Sequence, residues 1–169
     1  MVDRLFGKRQ RQAVPAFPPA YREQLLSAIA THGLFAGLPH RKVEGLFPAC
    51  LLEQYQDEEI VCRCPAEVAH HDAFLVLNGK VAVKYRLGDA EHVMELAGFG
   101  TLFNVGGVVE AKGDDVGARA LGPVVLMMMD AEKLGQMFAE DPSVGYVVVR
   151  NLTKLLMEQH RKYLERYLS

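Results

Sequence analysis

Asn78-Gly79 stands between the apolar run FLVL and the alternating run KVAVKYRL. Asn-Gly between such runs is the strongest short-range hairpin signal, because both residues accept positive φ. Val81, Val83 and Tyr85 alternate with Ala82, Lys84 and Arg86, so one face of this strand is buried and the other is wet. Gly88-Asp89 turns the chain into a further strand over 91–97, and Gly98 and Gly100 mark the next turn. Residues 124–129 (VVLMMM) form a continuous apolar run, read as a strand buried on both faces. Closely spaced hairpins of this kind between about 51 and 130 predict an antiparallel β-barrel of the double-stranded β-helix, jelly-roll-like type.

The flanks are helical. Residues 20–31 carry apolar residues at Leu25, Leu26, Ile29 and Ala30, the spacing of a short amphipathic helix, stopped by Gly33. A second short helix is expected over 40–47, closed by Pro48. After the barrel, Asp130 is placed to cap a helix over 131–139. Asp141-Pro142 then starts a helix running to about residue 167, roughly 39 Å long. Val149, Leu152, Leu156, His160 and Tyr163 form a seam along it. A helix longer than a small barrel needs commonly packs against a symmetry mate, so a homodimer is expected through these residues. The expected class is mainly β within α+β: a barrel with short N-terminal helices and a long C-terminal helix.

Composition sets bounds on this domain. A chain of 169 residues is about one domain, expected over 20–169, with 1–19 as a basic, Pro-rich, flexible lead-in. Hydrophobic residues make up 50%, which excludes a disordered chain. A net charge of -2 gives no overall pull toward nucleic acid or membrane. No apolar run approaches the roughly 20 residues of a membrane span, and the N-terminus lacks the apolar stretch of a secretory signal. Three cysteines, an odd number, argue against a disulfide scaffold, and a cytoplasmic location is expected.

The order of elements and several segments resemble the cyclic nucleotide-binding domain, the effector domain of catabolite activator-type regulators. Gly33–Leu38 is similar to the family's opening LF-x-x-L segment, and Asp57–Val61 to its Gly-Glu-x-Ile strand. Ala73–Val83 resembles the strand-turn-strand Y-x-I-x-x-G-x-V-x-V, and Ala118-Arg119-Ala120 the V-x-A strand. The resemblance covers about residues 25–169 and implies a non-enzymatic sensory or regulatory domain that binds a small ligand.

In the family, a Gly-Glu segment at a short helix N-terminus cradles the cyclic phosphate, its Glu holds the ribose hydroxyl, and an Arg pairs with the phosphate. Counting from Gly100, the Gly-Glu positions fall on Asn104-Val105; counting back from Asp130, the Arg falls on Asp114, beside Asp115. Val105 has no acceptor, and a carboxylate repels a phosphodiester. Arg119 and Lys112 are candidate replacement cations, and Gly106-Gly107 could offer backbone N–H groups to an anion. The candidate ligand site is therefore Phe103, Asn104, Val105, Gly106, Gly107, Asp114 and Arg119, with cyclic AMP or cyclic GMP not expected in the usual manner.

Cys62, Cys64, His70 and His71 lie within ten residues and are ligand types for zinc or haem iron, so a haem or metal sensor is one alternative. Cys62 and Cys64 on a strand share a face nearly 7 Å apart, and adjacent histidines do not easily chelate one ion. A cupin enzyme using His70, His71 and Asp72 lacks the His-x-His spacing and a second His-bearing motif. Met127–Met129 read as adaptable core. His160 on the helix seam could meet its mate near a twofold axis and respond to pH. A further alternative is a dimeric interaction module that binds no ligand. The family's final helix normally leads to a DNA-reading helix-turn-helix, which this sequence does not contain. Direct DNA binding is therefore not expected, and output is expected through another protein.

Overall fold

The computed structural model describes residues 10–13, 23, 27–62, 72–87, 90–110 and 116–168. Seven antiparallel strands lie within them: β1 (Gln10–Ala13), β2 (Cys50–Tyr55), β3 (Ile60–Cys62), β4 (Ala73–Leu87), β5 (Ala90–Ala97), β6 (Leu102–Phe103) and β7 (Val116–Met129). The pairing path is β1-β2-β7-β4-β5, with β3 beside β7 and β6 beside β4. Among the described residues its two ends are not joined, so the jelly-roll-like sheet is an open roll and not a closed barrel. The helices are α1 (His40–Gly45), α2 (Gly106–Glu110), α3 (Ala131–Glu140) and α4 (Pro142–Leu168). Residues 23 and 27–30 of the expected first helix are also helical.

The lead-in departs from its expected irregular form. Gln10–Ala13 pairs in register with Leu51–Gln54, covering an edge of β2 that would otherwise leave backbone groups unpaired.

Asn78-Gly79 does not make the two-residue hairpin turn that the sequence predicts. β4 runs straight through it as one 15-residue strand, paired with β7 from Ala73↔Met129 to Tyr85↔Val116. The register shifts on both sides of Asn78, and β7 has its own Gly122 at φ 81 near the same corner. A two-residue turn of the expected type needs positive φ at both residues. Here only Gly79 has it, at φ 88. The residue serves a close approach instead: a Cβ on Gly79 would lie 2.4 Å from the Pro123 carbonyl oxygen. The pair is thus an irregularity that bends two long strands together.

Alternation then divides the apolar residues between two cores. Phe74, Val76, Leu126 and Met128 fill the roll interior with Tyr55, Val81, Val83 and Phe103. Leu75, Met127 and Met129 point the other way, into a core shared with Phe35, Val43, Leu134, Val148 and Leu152. The run VVLMMM is therefore buried on both faces, as its continuous apolarity predicts. The helix caps also follow the sequence. Asp130 Oδ1 accepts the Lys133 N–H at 3.0 Å, and Asp141 Oδ1 accepts that of Val144 at 3.3 Å. Lys42, 2.5 Å from Asp141, holds that carboxyl down at about 2, helped by the Ser143 hydroxyl.

His32 joins the N-terminal segment to the turn that leads into β6. Its Nδ1 accepts the Leu34 N–H at 3.2 Å, and its other nitrogen hydrogen-bonds the Gly100 backbone. Phe99 meets the imidazole edge-on at 5.5 Å. Gly100 sits at φ 91, and a Cβ there would come within 2.4 Å of His32 Nε2. Burial lowers the His32 pKa, with the Gly100 hydrogen bond opposing it.

Two expectations follow. Gly79→Ala should cost about 2–4 kcal/mol in urea unfolding, from positive φ plus a backbone clash. A cost under about 0.5 kcal/mol would show that the corner is built differently. His32 should also make stability depend on pH. Unfolded histidine binds a proton near pH 6.5, before the buried neutral form does, so stability is full above about 6.5 and is lost as pH falls through the lower folded value. The slope between pH 7 and 5 should shrink in His32→Gln; identical slopes in both proteins would remove His32 as its source.

Candidate functional site

The candidate ligand segment begins where β6 leaves the sheet. Phe103 pairs with Phe74 in register, and their rings stack at 5.0 Å, 11° from parallel. The two rings occupy the roll interior. Asn104 then turns the chain with φ 52, a left-handed conformation that asparagine tolerates better than most residues. Its Nδ2 donates to the Asp72 carbonyl at 2.8 Å. Its side chain is only 5% exposed, and its Oδ1 accepts no hydrogen bond among the described residues. Val105 goes into the helix-side core, and Gly106-Gly107 open the five-residue helix α2.

The remaining predicted ligand residues are not all brought to this segment. Arg119 projects from β7 on the face opposite Ala118 and Ala120, and its guanidinium pairs with Glu58 in the turn before β3. Period two decides this: Ala118 and Ala120 take the interior, so Arg119 is turned outward. Asp114 lies outside the described residues, as do Lys112 and Asp115.

The Cys/His constellation is only partly described. Cys62 is half-buried, and its thiol donates to the Val116 carbonyl at 3.7 Å. Cys64, His70 and His71 lie outside the described residues. Among the described residues no three His, Cys, Asp or Glu side chains are grouped to hold a metal ion. Cys50 is buried, which pushes its thiol up to about 12, with Asp130 adding to the effect. It stays protonated and donates to the Leu46 carbonyl.

The long helix α4 meets this site through contacts that spacing does not reveal. Gln159 Nε2 donates to the Leu102 carbonyl at 3.0 Å, and its Oε1 accepts the Leu102 N–H at 3.4 Å. A side-chain amide thus pairs with the open side of β6 as a neighbouring strand would. One turn pair earlier, Asn151 Nδ2 donates to the carbonyls of Leu34 and Ala36 at 3.1 and 2.8 Å. Among the predicted seam residues, Leu152 is buried in the chain's own core, and Val149 and Leu156 are half-buried. The seam therefore packs partly at home. The large apolar residues that α4 exposes lie on other positions, including Met157 at 70% and Leu168 at 78%.

Leu156, Gln159, His160 and Tyr163 form one wall of a cleft of about 370 Å³. Tyr85, His92, Val93 and Met94 of β4 and β5 form the other. Gln159 therefore touches both the cleft and β6. The sequence marked His160 and Tyr163 as a seam but offered no sign of Gln159 or His92. Gln159 follows the charged face at Glu158, and His92 lies inside the strand read over 91–97 with nothing to single it out.

No family model and no curated protein sequence matches the chain. Solved structures do. A cyclic nucleotide-binding domain from Methylobacillus flagellatus is 18% identical, with a TM-score of 0.73 over 95% of this chain and 87% of that one. The sensor domain of the transcriptional regulator DNR from Pseudomonas aeruginosa is 14% identical, with a TM-score of 0.64 over 83% of this chain and 94% of that one. The catabolite activator protein of Thermus thermophilus is 24% identical, with a TM-score of 0.60 over 80% of this chain and 62% of that one. These likenesses in architecture, on top of the segments already matched, establish that the chain has the cyclic nucleotide-binding domain fold.

Proposed function

We propose that the chain is a non-enzymatic regulatory domain in which a small ligand near Phe103–Gly107 biases the long helix α4. The observation that carries this reading is the double hydrogen bond between Gln159 and the Leu102 backbone. It fixes α4 to the strand that leads directly into Asn104 and α2. A ligand that moved this segment would have to carry Gln159 with it or break both bonds, and a two-state element of that kind is what allostery requires. The buried Asn104 Oδ1 is an acceptor suited to a ligand donor, since a buried polar atom without a partner costs about 1–3 kcal/mol.

The ligand is not a cyclic nucleotide held in the usual manner. Val105 supplies no acceptor for a ribose hydroxyl, Arg119 is turned outward to Glu58, and counting back along the sequence from Asp130 gives Asp114 at the position of the family's phosphate-binding Arg. Thermal melts with millimolar cyclic AMP and cyclic GMP should shift by less than about 1 °C. A rise of several degrees with either would overturn this assignment.

A second reading, a dimeric interaction module, is favoured by the apolar residues that α4 exposes. Met157, Leu164 and Leu168 follow gaps of seven and four, a spacing suited to pairing with a second copy. Output to a downstream protein would then pass through the paired helices. Multi-angle light scattering should give twice the chain mass, and Met157→Glu combined with Leu164→Glu should halve it. A monomer at high wild-type concentration would overturn this second reading.

A further inference from the structure

The buried His32 ties together two segments that α4 also touches. Its Nδ1 accepts the Leu34 N–H at 3.2 Å and so caps the 3-10 turn Gly33–Phe35. Its other nitrogen bonds the Gly100 backbone in the turn before β6. From α4, Asn151 holds the Leu34 and Ala36 carbonyls of the same 3-10 turn. Gly33 packs there against Leu155, whose side chain a Cβ would approach to 3.2 Å. Leu34 is therefore gripped at both ends, its N–H by His32 and its carbonyl by Asn151.

This arrangement works in one charge state. A neutral imidazole has one nitrogen that accepts and one that donates, whereas the imidazolium has two donors. The Gly100 bond favours the charged ring, so it survives protonation. Nδ1 would then aim a proton at the Leu34 N–H, and two donors make no hydrogen bond. The segments around the ring offer no counter-charge among the described residues. His32 is the only titratable residue from Gln24 to Pro39, and the stretch from Leu96 to Val109 has none. Phe99 meets the ring edge-on, and β4 reaches the Gly100 turn through the Val76 backbone. On α4, Asn151 and Leu155 meet the 3-10 turn, while Lys154 and Glu158 are exposed.

We infer that His32 is a proton-operated latch: a proton on Nδ1 releases the turn at Leu34 and loosens the hold of Asn151 between that turn and α4. Acid is then an input to the domain, at a place separate from Phe103–Gly107. The link to α4 rests on the regulatory reading above; the latch itself does not. The start of α4 stays fixed meanwhile. Asp141, held at about 2, remains ionised and caps Val144 throughout the range in which imidazole titrates.

Amide hydrogen exchange read by NMR from about pH 7.5 to about 4.5, with intrinsic rates divided out, tests this. Protection of the Leu34 amide should fall at least about tenfold more than that of the β4–β7 ribbon around Val81. Its midpoint should match the titration of the His32 ring, below about 6.5 because burial favours the neutral form. In His32→Gln, which gains no proton in this range, the excess loss at Leu34 should vanish. An equal loss at Leu34 and in the ribbon is global destabilisation and overturns the latch. So does an excess loss that persists in His32→Gln. Should that variant not fold, a Leu34 midpoint away from that of the wild-type His32 ring overturns it as well. The side-chain NH2 resonances of Asn151 separate the latch from the reading beneath it. A shift with the same midpoint supports both. Resonances that stay put while Leu34 opens leave the latch standing and overturn its link to α4.

Discussion

The pairing of β4 with β7 is the contact on which the rest of the molecule hangs. The two strands are 15 and 14 residues long and run together over nearly their whole length. Because side chains alternate across a strand, this one ribbon supplies both hydrophobic cores. Phe74, Val76, Leu126 and Met128 face the roll interior, while Leu75, Met127 and Met129 face the helices. Fully burying such a side chain stabilises by roughly 1.5–3 kcal/mol, so losing the ribbon would remove both cores at once. It also sets the position of β6, whose two residues pair with Phe74 and Leu75, and through β6 the position of Asn104.

Much of this was legible from residue patterns, and the failures have physical causes. The unbroken apolar run at 124–129 announced a strand with two buried faces, and Asp130 and Asp141-Pro142 announced two helix starts. These are local signals, carried by neighbours in the chain. Asn78-Gly79 misled because its permissive backbone has two uses. The same pair can close a tight turn or let two strands touch at a corner, and only the Pro123 carbonyl, 44 positions beyond Gly79, decides between them. The lead-in strand was hidden for a similar reason: its partner is β2, and nothing within 1–19 records that.

The site shows the same division. The candidate segment Phe103–Gly107 is named by counting from Gly100, yet the groups that hold it in place come from far away. Gln159 reaches Leu102 across 57 positions, and Asn151 reaches Leu34 across 117. Such side-chain-to-backbone contacts have no periodicity, so no spacing rule exposes them. Arg119 shows the converse. It lies beside the segment in sequence terms, but strand alternation turns it outward to Glu58.

Asn151 acquires a mechanical meaning from its place along α4. Before it, Val144 and Val148 are buried in the helix-side core, and the amide itself grips the turn at Leu34–Ala36. Beyond it lie 17 more residues to Leu168, about 25 Å of helix, much of it exposed. In the proposed regulatory reading the helix would act as a lever held at Asn151. Gln159 would then act on the arm about 12 Å out, roughly halfway to the tip. A tilt of about 5° would move the tip by about 2 Å while moving Gln159 by only about 1 Å. Displacements too small to disturb the packing around Leu102 are thus doubled where the helix would meet a partner.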